Sequence, residues 1–132
     1  MLIDCSGGRG IHMANILIVD DSRTSRKMLR DILERRGHVI IGEAVDGQEG
    51  FDQYVKLKPD VVTMDITMPV MDGIESLKLI RKHDSNAKVI MITAAGQKEK
   101  MVEAIKQGAA EFITKPFNDD VVLDVVDNIS HA

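Results

Sequence analysis

The chain has 132 residues, a length typical of one domain and sufficient to bury a core without covalent staples. Apolar residues make up 44% and charged residues 29%, and the net charge of −4 argues against a nucleic-acid surface, which needs clustered Lys and Arg. The apolar runs are too short for a bilayer, and the single cysteine, Cys5, excludes a disulfide scaffold and fits a reducing cytoplasm.

Residues 1–12 are Gly-rich, lack hydrophobic period and lack the regions of a signal peptide. They read as a cloning leader or a disordered tail, with the domain occupying 13–132. Ile16-Leu17-Ile18-Val19 predicts a first buried strand that ends at Asp20. Ser22 is placed to cap a helix marked by Met28, Leu29, Ile32 and Leu33 and stopped at Gly37. A second strand follows over Val39-Ile40-Ile41-Gly42. The next helix, over 46–57, is capped by Asp46 and is expected to turn Phe51, Tyr54 and Val55 inward.

Val61-Val62-Thr63-Met64 is the third strand, ending at Asp65, and a loop containing Pro69 and Gly73 leads to a helix marked by Ile74, Leu77 and Ile80. The fourth strand, Val89-Ile90-Met91-Ile92, ends at Thr93. Met101, Val102 and Ile105 mark the helix before Gly108. Glu111-Phe112-Ile113-Thr114 is a short fifth strand, followed by Lys115-Pro116. The last helix begins near Asn118, has Asp119 and Asp120 at its positive end, and carries Val122, Val125, Val126 and Ile129 as its inner stripe. Five such repeats of strand and helix predict an α/β fold, a parallel sheet with helices on both faces. The eight methionines read mostly as core filling, Met64 and Met91 among them.

In open sheets of this kind, ligands bind beyond the carboxyl ends of the strands. Those ends carry Asp20-Asp21, Asp65, Thr93 and Lys115; the second strand, ending on Gly42-Glu43, fits less clearly. Alone, any of these is an ordinary cap, turn or strand-end residue. Together they differ. Three converging carboxylates repel one another, and a divalent cation such as Mg²⁺, which takes a few carboxylates, a carbonyl and waters, relieves the repulsion. A cis peptide before Pro116 would aim Lys115 back over the site. A carboxylate nucleophile, a metal, a lysine and a hydroxyl donor make a phosphoryl-transfer site.

The set Asp20-Asp21, Asp65, Thr93 and Lys115-Pro116, spaced 44, 28 and 22 residues apart from Asp21 onward, resembles the response-regulator receiver family from Asn15 to the C-terminus. The string Met64-Asp65-Ile66-Thr67-Met68-Pro69, followed by Met71-Asp72-Gly73, is a specific part of that resemblance. The resemblance implies a flavodoxin-like five-stranded sheet in the order 2-1-3-4-5. It implies Asp65 as the phosphoacceptor, with Mg²⁺ bound by Asp21, Asp65 and the backbone carbonyl of Thr67, and by Asp20 through water. Lys115 would pair with the phosphoryl group, Thr93 would move toward it, and Phe112 would stand where the family keeps a switching aromatic. Phe112 lacks a tyrosine hydroxyl and its hydrogen bond; a plain core aromatic is the other reading.

The family implies a phosphoacceptor switch that catalyses only its own phosphorylation and dephosphorylation. Its expected partners are a sensor histidine kinase of the CheA type, a downstream protein such as a flagellar motor switch protein reached through residues 98–130, and a phosphatase, but neither nucleic acid nor membrane; a monomer in the cytoplasm is expected. Asp65-Ile66-Thr67-Met68-Pro69, Gly96-Gln97 and Met101-Val102-Glu103-Ala104-Ile105 resemble chemotaxis members of the family, whereas the stretch Asp21-Ser22-Arg23-Thr24-Ser25-Arg26 and Thr93-Ala94-Ala95 depart from them. The alternative is a stand-alone or excised receiver of another phosphorelay or of a transcriptional regulator. An Asp-nucleophile phosphohydrolase needs a second Asp two residues after the first, where this chain has Thr67. A flavin carrier needs a phosphate loop after the first strand, where Asp20-Asp21 would repel the phosphate.

Overall fold

The β-branched and aliphatic runs become strands; the first, third and fourth are buried on both sides, and the second and fifth are only partly covered. In chain order the elements are β1 (Asn15–Val19), α1 (Arg23–Arg35), β2 (Val39–Ala44), α2 (Gly47–Leu57), β3 (Val61–Asp65), α3 (Gly73–His83), β4 (Val89–Thr93), α4 (Lys98–Lys106), β5 (Glu111–Thr114) and α5 (Asp119–Ser130). They come from a computed structural model that describes residues 13–130. The expected leader or tail over 1–12, with Cys5, lies outside the described residues.

The strands form one parallel sheet in the order β2-β1-β3-β4-β5, the order the family resemblance implied. Successive strand residues feed opposite layers. Leu17, Val19, Val62, Met64, Val89 and Met91 pack with Tyr54, Ile74, Leu77, Ile80 and Ala104 of α2, α3 and α4. Ile16, Ile18, Ile90, Ile92 and Ile113 pack with Leu29, Ile32 and Leu33 of α1 and Val122, Val126 and Ile129 of α5. Met64 and Met91 are fully buried, as core filling requires.

Local capping chemistry sets several helix ends. The Ser22 side chain accepts from Ser25 N, Asp46 from Glu49 N, and Asp72 from Glu75 N. Gly37 ends the first unit with φ +97°, a conformation that suits glycine. Asn118 stands just outside α5 and accepts from Val121 N at 3.0 Å.

The apolar residues that mark the helices do not all face the core. Val55 of α2 and Met28 of α1 are exposed, because Tyr54 and Leu29 already occupy the positions facing the sheet. In α4 the residue that meets the core is Ala104, while Val102 and Ile105 are 42% and 50% exposed. This helix meets the core through a methyl group and leaves its larger side chains outward. In α5, Val122, Val126 and Ile129 are buried, and Val125 is only partly so.

Candidate functional site

Asp20 follows β1 directly, and its N–H extends the ladder to Ala44 O at 3.0 Å. Its carboxylate is fully buried; Oδ1 accepts from Ser22 N at 2.8 Å and Oδ2 lies 3.4 Å from Lys115 Nζ. Asp65 ends β3, 8% exposed, with Oδ1 3.7 Å from the same ammonium. Asp21 is exposed beside them. One carboxylate oxygen from each of Asp20, Asp21 and Asp65 falls within a common 4.8 Å.

This crowding has an electrostatic cost. Burial, then the negative charge of Asp20, pushes the Asp65 carboxyl up to about 6; Asp21 adds to the rise, while Lys115 and the Ile66 amide oppose it. One lysine facing two buried carboxylates leaves the cluster net negative. An all-oxygen donor set with surplus negative charge fits a small hard dication such as Mg²⁺.

The surrounding loops are held by contacts that side-chain pattern does not reveal. A Cβ on Gly73 would stand 2.1 Å from Asp65 O, and Gly73 N donates to Ile66 O at 2.7 Å. The loop after β3 therefore folds back on Asp65 so tightly that only glycine fits. Gly47 admits the same loop from the other side, where a Cβ would meet Met71 O at 2.4 Å. Within the loop, Val70 is 84% exposed with φ +68°, a strained conformation for a β-branched residue.

Thr93 ends β4 nearly buried, and its hydroxyl donates to Ala94 O at 3.1 Å. Lys115 N donates to Thr93 O at 2.7 Å, so the main chain ties these two residues together; the Lys115–Pro116 peptide is cis. Phe112 is partly buried against the α2–α3–α4 layer, in register with Met91. Thr67 is exposed, and its hydroxyl accepts from Gln97 Nε2 at 2.5 Å, while Gln97 Oε1 accepts from Ala94 N at 2.8 Å. Gln97 thus straps the loop after β3 to the loop after β4. Sequence reading noticed Gln97 only as part of a string and gave it no contact.

The end of β2 was also underrated. Glu43 takes Arg26 Nε at 2.9 Å on Oε1 and Arg30 Nε at 2.8 Å on Oε2. Burial works against its ionisation, but these guanidiniums hold its carboxyl below the ordinary value. Arginines four residues apart on one helix face could be read from the sequence, but their meeting with Glu43 depends on the packing of α1 beside β2.

The pattern of similarity agrees with this geometry. Residues 16–127 match the family model described as the response regulator receiver domain. The chain belongs to that family. It is 49% identical to the chemotaxis protein CheY of Thermotoga maritima over 115 residues, covering 87% of this chain and 96% of that protein. It is also 49% identical to the protein CcdB of Bacillus subtilis, covering 89% and 98%. Among solved structures, the CheX–CheY–BeF3–Mg²⁺ complex from Borrelia burgdorferi superposes with TM-score 0.85 at 42% identity, covering 92% of this chain and 91% of that one. This receiver domain is a CheY-like signal switch of two-component systems, and its Asp cluster is compatible with Mg²⁺ and with a phosphorylated aspartate.

Proposed function

We propose that Asp65 is the phosphoacceptor and that a sensor histidine kinase of the CheA type is the donor. The observation that carries this reading is the position of Asp65: the last residue of the central strand β3, nearly buried, facing Asp20 and within 3.7 Å of the Lys115 ammonium. An Asp65 carboxylate oxygen attacks phosphorus, the bond from phosphorus to the donor imidazole breaks, and an acyl phosphate forms. Lys115, now shared between Asp20 and Asp65, pairs with the incoming phosphoryl oxygens. Asp21, Asp65 and the Thr67 carbonyl are the direct Mg²⁺ ligands in this reading, and Asp20 acts through water. The bound cation supplies positive charge against the carboxylates and the phosphoryl oxygens.

The new group adds about −1.5 to −2 charge. Thr93 answers it by exchanging its Ala94 carbonyl for a phosphoryl oxygen, and Phe112 follows into the space released. The readout is the face built by residues 98–130, where Val102 and Ile105 already stand exposed. Its partner is a flagellar motor switch protein or another downstream protein, with a phosphatase resetting the switch, and the setting is cytoplasmic chemotaxis. Membership of CheY relatives at 49% and 47% identity supports that pathway. No helix among the described residues is long and apolar enough to cross a membrane.

Incubation with a small phosphodonor and Mg²⁺ tests the assignment. One phosphoryl group should be found by mass spectrometry on the wild type and none on Asp65→Asn. Equal labelling of the Asn variant would remove Asp65 from the reaction.

A further inference from the structure

Arg26 lies in the second turn of α1, with its side chain only 15% exposed, and reaches two acceptors at once. Its Nη1 donates to the main-chain carbonyl of Asp20 at 2.8 Å, and its Nε donates to Glu43 Oε1 at 2.9 Å. The Asp20 carbonyl belongs to the peptide that joins the two acidic residues. A peptide is planar, so fixing its oxygen fixes the plane from which the Asp21 Cα departs. Asp20 itself is held separately, by Ala44 O through its own amide and by Ser22 N on its carboxylate. Arg26 is thus the side chain that sets where Asp21, the exposed member of the cluster, begins.

We propose that Arg26, anchored by Glu43, is a positioning residue for the divalent-cation site of Asp20, Asp21 and Asp65. Glu43 does two things for it. One carboxylate oxygen orients the guanidinium, and the other accepts from Arg30, which keeps Glu43 in place. The residue type follows from the geometry. A guanidinium carries donors in a rigid plane and can span a carbonyl and a carboxylate together, whereas an ammonium on a flexible stem holds neither in a set direction.

The inference rests on the cation site described above, and the sign of one measurement separates it from simple electrostatics. A fixed positive charge beside a cation site repels the cation, so charge alone predicts that Arg26→Met binds Mg²⁺ more tightly. Positioning predicts the opposite: binding weaker by roughly 10-fold, the low end of what is lost when groups that orient metal ligands are removed. Mg²⁺ titration followed by the amide NMR shifts of the loop after β1 reads the affinity without any phosphorylation. Arg26→Lys, which keeps the charge, should also bind more weakly than wild type and covers the case in which the Met variant does not fold. Arg30→Met loosens Glu43 without touching Asp20 and should weaken Mg²⁺ binding less than Arg26→Met does. Unchanged or tighter binding in Arg26→Met, or an equal loss in Arg30→Met, overturns the proposal. Asp21→Ala separates the two levels: if it binds Mg²⁺ as well as wild type, the cation-site reading itself has failed.

Discussion

The two edges of the sheet use buried polar groups in opposite ways. At the carboxyl ends of the strands, Asp20, Asp21 and Asp65 are brought together with one lysine, and burial raises the Asp65 carboxyl to about 6. At the amino ends, polar groups from different elements meet. His38, just before β2, is nearly buried; its Nδ1 accepts from Ala14 N at 3.0 Å and its Nε2 lies 3.4 Å from Asp127 Oδ1 on α5. Arg36 closes on the other Asp127 oxygen. Nearby, the Tyr54 hydroxyl of α2 donates to Asp84 at the end of α3 at 2.8 Å. One edge spends stability to hold charge ready for a ligand, and the other joins strand and helix ends. The same fold hosts both because the loops after the strands, and not those before them, meet at one point.

If the upper edge is as tightly closed as it looks, Gly73→Ala should have the largest effect. Its Cβ would stand 2.1 Å from the backbone oxygen of Asp65. A loss of about 3 kcal/mol in urea unfolding is expected, at the upper end for forcing atoms into packed backbone. A loss under about 0.5 kcal/mol would mean that the loop yields freely.

Asp65→Asn should move stability the other way. In the metal-free protein the raised carboxyl favours folding only while protonated, below the ordinary value of 3.8, and that contribution is lost as pH rises to about 6. The Asn variant lacks this loss. It should be more stable than wild type by about 2 kcal/mol at pH 8 in EDTA, with the gap closing toward pH 4. Equal stability across that range would show that the carboxylates do not repel as their placement requires.

The lower edge carries the opposite pH signature. Burial lowers the pKa of His38 from 6.5, an effect only partly opposed by Asp127. Its contribution is complete above 6.5 and is lost as pH falls through the folded value, by at most about 1.4 kcal/mol per pH unit. The imidazole should titrate below 6.5 by NMR, and a value above it would make the Asp127 contact dominant. Last and smallest, Tyr54→Phe removes one hydrogen bond to a carboxylate and should cost about 1 kcal/mol by thermal unfolding. No change would mean that this lower contact is ornamental.

Much of this was legible locally. Ser22 and Asp46 announced helix starts because a cap is a contact over three residues. The strand runs ended on the polar residues that the fold gathers, so Asp20, Asp65, Thr93 and Lys115 could be named before their arrangement was known. The inner face of α4 was not legible. Met101, Val102 and Ile105 look like a stripe, but periodicity marks apolar positions without saying which of them the core covers, and packing selected Ala104. Arg26, Glu43 and Gln97 were missed for a related reason: each makes its decisive contact with another element.

What the amino-acid order determined by itself was the alternation of strands and helices, their caps and which polar side chains close the strands. These depend on forces acting over a few residues. Tertiary structure alone brought Lys115 to 3.4 Å from Asp20, 95 residues away, drew three carboxylates within 4.8 Å and set Arg26 on the Asp20 carbonyl. Those distances depend on the order and register of five parallel strands, and register is fixed by packing the whole sheet between two helical layers.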